Sequence, residues 1–285
     1  MQAVAALDPS GKVDLCVDSE WRDNRRQALL DIANNLPFVE NVINFPLDKF
    51  EKDYKTWYWT RHTYPSKALE FFKTKDPRFD IGVEWTHSKE HEIDFYMRLV
   101  RRFLGFSGET PKQYCPVGDG PKLDKSKINI VLCNGSYGHL RGSKTWAGFA
   151  ELAEILKNYY DCNIIKIGYE KELEDVKVFD IDYVDKLPIL QTAKVIDQCD
   201  VLITTDTCNM HIGDALNKKM VVLWGGSIFT KNRPVNGTAA IISKGICCQP
   251  CHDTGKYNSC VAYSCLNSIS VGDVVSQTRA VLNAN

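Results

Sequence analysis

The sequence has no long apolar run, no excess of charge of either sign and no low-complexity tract. No stretch approaches the roughly 20 apolar residues of a membrane-spanning helix, so we expect no transmembrane segment. The 35 basic and 36 acidic residues leave a net charge of -1, which excludes bulk attraction to nucleic acid. The first residues lack the basic start and apolar core of a secretory signal peptide. We therefore expect a cytoplasmic protein, at most peripheral to the inner face of a membrane.

Cysteine, in contrast, is plentiful and unevenly distributed. The chain has 11 cysteines, an odd number, of which six are scattered and five crowd into residues 247–265. Several of the scattered cysteines fall in strand-like runs, where a free cysteine behaves as a small buried hydrophobic residue. This distribution is not that of a secreted protein framed by disulfides.

The C-terminal half alternates short apolar runs with helical patterns. Continuous apolar runs of this length are typical of strands buried on both faces. We predict strands at 128–133, 162–168, 201–205 and 220–226, and helices at 144–160 and 187–199. Strands that alternate with helices predict a parallel, Rossmann-like sheet with right-handed crossovers.

The N-terminal half shows a weaker version of the same alternation. We predict strands at 13–19, 39–45 and 79–85, and helices at 24–37 and 92–106, the second of which is closed by Gly105. A stretch rich in Gly, Pro and Lys follows at 108–127, a composition typical of linkers. We therefore predict two Rossmann-like domains, 1–120 and 121–285, with their parallel sheets facing a ligand-binding cleft.

One stretch, DVLITTDTCNMHIGDALNKKMVVLWGG at 200–226, predicts a binding site. It reads as a buried strand, a polar turn at Asp206-Thr207-Cys208, a short helix containing His211 and a second buried strand. The first N–H groups of a helix have no intrahelical partner, and the helix dipole favours an anion beside them. A helix that begins at the carboxyl end of a parallel strand is therefore a ready site for phosphate.

Three blocks in the C-terminal half together resemble one family. They are NGSYGHLRGSKTWAGFAELAEIL (134–156), IGYEKE (167–172) after a strand, and TTDTCNMHIGDALNKKMVVLWGGS (204–227). In this order and spacing they resemble the ADP-heptose:lipopolysaccharide heptosyltransferases, over about residues 126–285. That family consists of two-domain, GT-B-type, inverting glycosyltransferases. The resemblance therefore implies a GT-B-like α/β fold, with a donor-binding C-terminal domain and an acceptor-side N-terminal domain.

The resemblance also implies roles for particular residues. Lys144 would contact the donor diphosphate as a point charge. Thr207 and the N–H groups that open the following helix would hold the same phosphates. Asp206 would cap that helix or bind the sugar, and Glu172 would accept hydrogen bonds from the ribose hydroxyls. The implied donor-binding set is Asn134, Ser136, Lys144, Glu172, Asp206, Thr207, Cys208 and His211.

The chain departs from the family pattern in two places. The family has Gly where this chain has Cys208, so a side chain there could crowd the phosphate or change donor choice. The family also begins with a strand and a Gly-rich loop that holds the proposed catalytic Asp. This sequence reads as starting after that unit, so we assign no general base. Edge pairing or dimerisation would cover the strand position left open.

The cysteine-rich loop, ICCQPCHDTGKYNSCVAYSC at 246–265, predicts a metal site. Four thiolates suit tetrahedral coordination, with a structural role because no position is left open for substrate. The predicted ligands are Cys248, Cys251, Cys260 and Cys265. Related autotransporter-modifying heptosyltransferases hold iron with such a motif, so the resemblance makes iron a rival to zinc. Free thiols and disulfides are the alternatives, and Cys247 and His252 are further possible ligands.

The sequence thus predicts a glycosyltransferase. It would pass a heptose-like sugar from a nucleotide-diphosphate donor, ADP-linked by resemblance, to a glycan, lipid-linked or protein acceptor with inversion. No metal is needed for the chemistry in this hypothesis and no redox cofactor is expected. The alternatives are a catalytically degenerate or partner-dependent module that binds nucleotide-sugar, and a different GT-B enzyme such as a nucleotide-sugar epimerase.

Overall fold

The computed structural model describes residues 13–18, 24–45, 89–134, 144–168, 178–237, 239–251, 260 and 262–284. The chain divides into two compact units, Met1–Pro111 and Lys112–Asn285. Within the described ranges, no helix combines the length and the apolar character needed to span a bilayer.

The first unit contains a βαβ motif. Strand β1 (Val13–Asp18), helix α1 (Asn24–Asn34) and strand β2 (Val39–Phe45) follow in order, and the two strands pair in parallel. Leu29 and Leu30 of α1 pack with Val39 and Val42 of β2 around the buried Ala33. The alternation predicted for this part is therefore present, whereas the predicted strand at 79–85 lies outside the described residues.

A second helix of this unit, α2 (Glu92–Leu104), has well-defined ends. The Nδ1 atom of His91 accepts a hydrogen bond from the Ile93 N–H group at 3.2 Å and so caps the helix. Gly105 ends the helix with φ 71°, a left-handed conformation that glycine adopts without steric cost. The predicted end of this helix at Gly105 is confirmed.

The second unit is built on six parallel strands. They are β3 (Ile128–Cys133), β4 (Cys162–Ile167), β5 (Ile181–Asp182), β6 (Val201–Thr205), β7 (Met220–Leu223) and β8 (Ala239–Ile242). Their order across the sheet is β5-β4-β3-β6-β7-β8, and each adjacent pair is parallel. This is the doubly wound 3-2-1-4-5-6 order, so the predicted Rossmann-like sheet is confirmed.

Helices cover both faces of this sheet. On one face α3 (Phe149–Tyr159), the short α7 (Ser264–Asn267) and α8 (Val271–Asn283) contribute to a core that includes Leu152, Leu156 and Val274. On the other face α4 (Ile189–Gln198) and α5 (Cys208–Ala215) contribute Ile196 and Met210. Each fully buried aliphatic side chain of this kind contributes about 1.5–3 kcal/mol to the free energy of unfolding. A further short helix, α6 (Phe229–Asn232), follows β7.

Three elements differ from the prediction. Helix α3 begins at Phe149 rather than at Lys144. The Trp146 indole lies against Gly148, where a Cβ atom would come within 2.4 Å of the ring, so the chain turns there before the helix starts. Strand β8 and helix α8 were not predicted, although Ser270 and Asp273 form a capping box at the start of α8.

Much of the predicted linker is docked on the second unit. The N–H group of Gly118 donates to the Leu190 carbonyl of α4 at 3.2 Å, and a Cβ atom at Gly118 would lie 2.9 Å from the Leu190 Cβ. Gln198 clamps the same segment, since its Oε1 accepts from the Leu123 N–H at 3.1 Å and its Nε2 donates to the Pro121 carbonyl at 2.8 Å. This packing explains why the second unit begins at Lys112.

Candidate functional site

Polar residues gather where the strand order of the second sheet reverses. Strands β3 and β6 are neighbours, and Cys133 at the end of β3 pairs with Thr204 near the end of β6. In doubly wound sheets the crossovers on the two sides of this point leave in opposite directions, which opens a crevice at the carboxyl ends of the strands. Asn134 follows β3 and Asp206 follows β6, so both lie at this point.

Asn134 is buried and holds the chain after β3 in place. Its Oδ1 accepts from the Trp146 N–H at 2.9 Å, and its Nδ2 donates to the Trp146 carbonyl at 3.0 Å. The indole Nε1 of Trp146 in turn donates to the Ile269 carbonyl at 3.0 Å. The side-chain amide of Asn134 thus positions the segment that presents Lys144, while its predicted contact with the donor stays a prediction.

Lys144 forms an ion pair with Asp206 across this crevice. Its Nζ donates to the Asp206 Oδ2 at 2.9 Å and to the Asp206 backbone carbonyl at 2.8 Å. The two side chains are only 15% and 6% exposed, so solvent screens the pair weakly. An ammonium group has three donors. The two described contacts therefore leave Lys144 the capacity to donate one further hydrogen bond.

The carboxylate of Asp206 is held ionised by its surroundings. Burial would raise the pKa of Asp206, but the charge of Lys144 and hydrogen bonds from Ser227 and Lys144 outweigh this effect. The charge of His211, one helical turn further along α5, acts in the same direction. The net result is a pKa below the ordinary value of 3.8, so Asp206 is a carboxylate at neutral pH.

The N-terminus of α5 begins beside this pair. The N-cap position is Thr207 rather than Asp206, with extended backbone angles (φ -139°, ψ 175°) and no hydrogen bond from its side chain to the helix. Met210 and His211 both donate to the Thr207 carbonyl, so the N–H groups of Cys208 and Asn209 precede the first intrahelical bonds. An anion at this helix N-terminus would accept hydrogen bonds from these two N–H groups and would be favoured by the helix dipole.

Threonine hydroxyl groups extend the polar lining. The Oγ1 atoms of Thr204 and Thr207 lie 3.3 Å apart, which is within hydrogen-bonding distance. The Oγ1 of Thr205 is buried and has no hydrogen-bond partner among the described residues. Cys208 lies on the first turn of α5, at the position where the resembled family has glycine, and burial raises the pKa of its thiol to about 11.

Two predicted donor-binding residues, Ser136 and Glu172, lie outside the described residues. The structure brings the other predicted residues together around α5: Asn134, Lys144, Asp206, Thr207, Cys208 and His211. Their contacts with a donor stay a prediction. Sequence reasoning missed Ser227, although it stands at the end of the polar Gly225-Gly226-Ser227 turn after an apolar strand.

The predicted metal ligands lie in one region without forming an assembled site. Burial raises the pKa of both Cys251 and Cys265, and the nearby thiols Cys248 and Cys260 raise each of them further. The four thiols therefore influence one another electrostatically. Within the ranges given above, however, no group of three or more His, Cys, Asp or Glu side chains stands close enough to hold a metal ion. Cys248, Cys260 and Cys265 have free thiols, so the structure does not pair them in disulfides.

Sequence comparison connects this site with a family. Residues 80–262, well over half of the chain, match the model of glycosyltransferase family 9 (heptosyltransferase). Lipooligosaccharide heptosyltransferase 2 of Campylobacter jejuni subsp. jejuni serotype O:6 is 26% identical over 211 residues, 67% of this chain and 65% of that protein. The protein of the same name from serotype O:2 is 24% identical over 247 residues, 78% of this chain and 73% of that protein. The chain thus spans just under two thirds of the first relative's length.

Structure comparison agrees. A glycosyl transferase family 9 structure from Veillonella parvula has a TM-score of 0.68 at 15% identity, covering 99% of this chain and 92% of that one. E. coli ADP-heptose lps heptosyltransferase II has a TM-score of 0.63 at 15% identity, with coverages of 99% and 93%. The dodecameric iron-containing heptosyltransferase TibC, solved with ADP-D-beta-D-heptose, scores 0.58 at 14% identity, covering 90% of this chain and 67% of TibC. Similarity at these identities shows the fold, and it confirms the predicted GT-B-like α/β class.

Proposed function

Because the chain belongs to glycosyltransferase family 9, the heptosyltransferase family, we propose that it transfers a heptose-like sugar from a nucleotide-diphosphate donor. We further propose an ADP-linked donor, since TibC was solved with ADP-D-beta-D-heptose and the E. coli structure is named as an ADP-heptose enzyme. The acceptor would be a glycan, a lipid-linked saccharide or a protein, bound by the N-terminal domain. The relatives named as lipooligosaccharide heptosyltransferases favour a saccharide.

One observation supports the donor site most strongly: the Lys144–Asp206 ion pair lies next to the N–H groups that precede the first intrahelical bonds of α5. The pair is almost neutral in sum, yet the third N–H donor of Lys144 and the helix N-terminus both favour an anion. The diphosphate of the donor would lie across this point. Thr207 and His211 would flank it, and Ser136 and Glu172 keep the roles proposed for them from the family resemblance.

The same groups would assist the chemical step. When the acceptor displaces the sugar at its anomeric carbon with inversion, the bond to the diphosphate breaks and negative charge grows on the leaving group. Preorganised N–H donors and a fixed cation stabilise such growing charge most effectively in a site that excludes water. Lys144 and the start of α5 can perform this task without a metal ion. The group that removes the acceptor's proton remains unassigned.

We also propose that Cys248, Cys251, Cys260 and Cys265 hold a structural iron or zinc ion. The mutual electrostatic influence of these thiols and the iron content of TibC support this assignment. Four thiolates match the donor set of a closed tetrahedral site, and ligands must be deprotonated on binding, so a metal would reverse the raised pKa values. We propose in addition that the protein forms a homo-oligomer, because TibC is described as dodecameric. We also propose that it acts in the cytoplasm, beside a membrane-borne acceptor.

The test of the donor site is a thermal-shift titration with ADP, UDP, GDP and their sugar conjugates. A ligand that binds only the folded protein raises the melting temperature by mass action. We expect a shift with one diphosphate, lost in the Lys144→Ala variant. Lys157→Ala is the matched control, because Lys157 forms a comparable ion pair with Asp180 at 2.7 Å but lies outside the site.

The outcomes separate the hypotheses. No shift with any nucleotide in the unmodified protein would overturn the donor-site assignment. A shift without transfer to saccharide acceptors would favour the binding-module alternative, and conversion of the sugar nucleotide without an acceptor product would favour an epimerase. Equal shifts in the Lys144→Ala and Lys157→Ala variants would remove Lys144 from the site.

A further inference from the structure

The turn after β7, residues 225–227, is held by the cysteine-rich segment. The Nε2 of Gln249 donates to the Gly225 carbonyl at 2.6 Å and to the Trp224 carbonyl at 3.3 Å. Its Oε1 accepts from the Ile246 N–H at 2.9 Å, which fixes the side chain to its own segment. Two residues further on, the Cys251 N–H donates to the Gly226 carbonyl at 2.9 Å.

The same turn touches the donor site on its other side. The side chain of Ser227 hydrogen-bonds the carboxylate of Asp206, the partner of Lys144. The indole Nε1 of Trp224 donates to the Ser227 carbonyl at 2.9 Å and so stabilises the turn. Residues 225–227 are buried. A continuous set of hydrogen bonds therefore runs from Gln249 through the turn to Asp206.

We propose that Gln249 is a positioning residue, through which the cysteine-rich segment holds the 225–227 turn and Asp206 in the arrangement that binds the donor. The effect of Gln249 on donor binding rests on the proposed function. Its effect on the conformation of the turn, the mechanical part of the inference, concerns the unliganded protein and does not depend on that function. In the part of the chain that the structure describes, the side chain of Gln249 hydrogen-bonds Ile246, Trp224 and Gly225, so it would act on Asp206 through the turn.

The physical reason is the composition of the turn. Two successive glycines have more backbone conformations to lose than any other pair, so the turn needs external bonds to remain in one of them. Gln249 satisfies two carbonyl groups of this buried stretch, and such groups are costly to leave unpaired. Without these bonds the turn would sample other conformations, and Ser227 would leave Asp206 for part of the time.

A consequence concerns the four-cysteine loop. Gln249 lies between Cys248 and Cys251, and the Cys251 N–H makes its own bond to the turn. Whatever orders these cysteines, a bound metal ion included, would therefore also order the turn beside the donor. On this proposal the cysteine-rich segment stabilises the donor site through the 225–227 turn, although it does not contact the donor itself.

The test uses Gln249→Glu and its matched control Gln198→Glu. The Gln249→Glu variant keeps the acceptor for Ile246 but replaces the Nε2 donor with a carboxylate oxygen that repels the Gly225 carbonyl. Gln198 has the same bonding pattern, accepting from Leu123 and donating to the Pro121 carbonyl, but it lies at the C-terminal end of α4. Gln249→Ala, which adds no charge, is the second variant should the first fail to fold.

The first readout is hydrogen–deuterium exchange of the unliganded proteins. We expect exchange in peptides covering residues 204–212 and 224–230 to accelerate about tenfold in the Gln249 variants, the effect of roughly 1.4 kcal/mol of lost local stability. The Gln198→Glu variant should accelerate exchange around 118–124 instead. Unchanged exchange at 204–212 and 224–230 in the Gln249 variants would overturn the inference, whatever the nucleotide results.

The second readout is the dissociation constant for ADP by isothermal titration calorimetry. We expect ADP to bind about five- to tenfold more weakly to the Gln249 variants, the cost of one or two hydrogen bonds, and equally well to the Gln198→Glu variant. Equal ADP affinity in unmodified and Gln249 proteins would overturn the inference alone. Accelerated exchange in Gln249 variants, with no nucleotide binding by the unmodified protein, would support the mechanical part and overturn the proposed function.

Discussion

Lys144 donates hydrogen bonds to both the carboxylate and the backbone carbonyl of Asp206, at 2.9 and 2.8 Å. One side chain thereby joins the segment after β3 to the turn after β6, across the point where the strand order reverses. This contact has a structural role, and in the proposed donor site it would also have a functional one. It fixes the start of α5, and it keeps a cation beside the first N–H groups of that helix.

Asp206→Asn should destabilise the protein strongly, because it leaves the Lys144 ammonium buried without a counter-charge. We expect a loss of about 2–4 kcal/mol in the free energy of unfolding, measured by urea denaturation. Asp180→Asn is the control, since the Lys157–Asp180 pair is about one third exposed and should lose no more than about 1 kcal/mol. Equal losses in the two variants would contradict the special status of the Lys144–Asp206 pair.

The stabilisation from Asp206 should depend on pH in the acid range. The folded-state pKa of Asp206 is lowered from the ordinary value of 3.8, so its contribution is fully present above that value and is lost as the pH falls through the lower, folded-state value. The difference in unfolding free energy between the unmodified protein and Asp206→Asn should therefore be constant from pH 7 to about 5 and shrink below pH 4. A difference that stayed constant down to pH 2.5 would show that these contacts do not lower the pKa of Asp206 on folding.

Asp214 is a third point to test, because it anchors the loop that follows α6. It is fully buried, and its Oδ1 accepts from the N–H groups of Asn236 (2.8 Å) and Gly237 (2.9 Å) while its Oδ2 accepts from Val235 (2.8 Å). Asp214→Ala should cost about 3 kcal/mol or more in urea denaturation, because three backbone donors lose their acceptor. Asp214→Asn retains the oxygen that serves two of them and should cost clearly less. Similar losses would indicate that charge, not acceptor geometry, stabilises this loop.

The four-cysteine proposal predicts bound metal in the purified protein. Elemental analysis should find about one iron or zinc ion per chain, because a closed tetrahedral site takes four thiolates. Cys251→Ser and Cys265→Ser should each lower the metal content and the melting temperature. Cys199→Ser is the control, since Cys199 is a buried cysteine that caps the C-terminus of α4, far along the chain from the cluster. The proposed site would be refuted if the unmodified protein contained no metal and the Cys251→Ser variant melted at the same temperature as the unmodified protein.

Much of the architecture followed from local patterns in the sequence. The run VLITT predicted a buried strand, and β6 spans Val201–Thr205 with every residue buried. Helix α2 ends at Gly105, as the position of that glycine predicted. Such features depend on apolar periodicity and on backbone preferences, which act over a few neighbouring residues. Helix α8 has a local signal of the same kind, the capping box of Ser270 and Asp273, and sequence reasoning overlooked it.

The tertiary structure decided which polar residues meet. The sequence by itself determined that Asp206 and Thr207 would stand between a buried strand and a helix, where an anion site can form. It did not show that Lys144, 62 positions earlier, would pair with Asp206, or that Asn134 would bind the backbone of Trp146. Nor did it link Gln249 to Gly225. These contacts depend on how β3, β6 and β7 lie side by side, and sheet order is set by the packing of the whole domain rather than by any local run of residues.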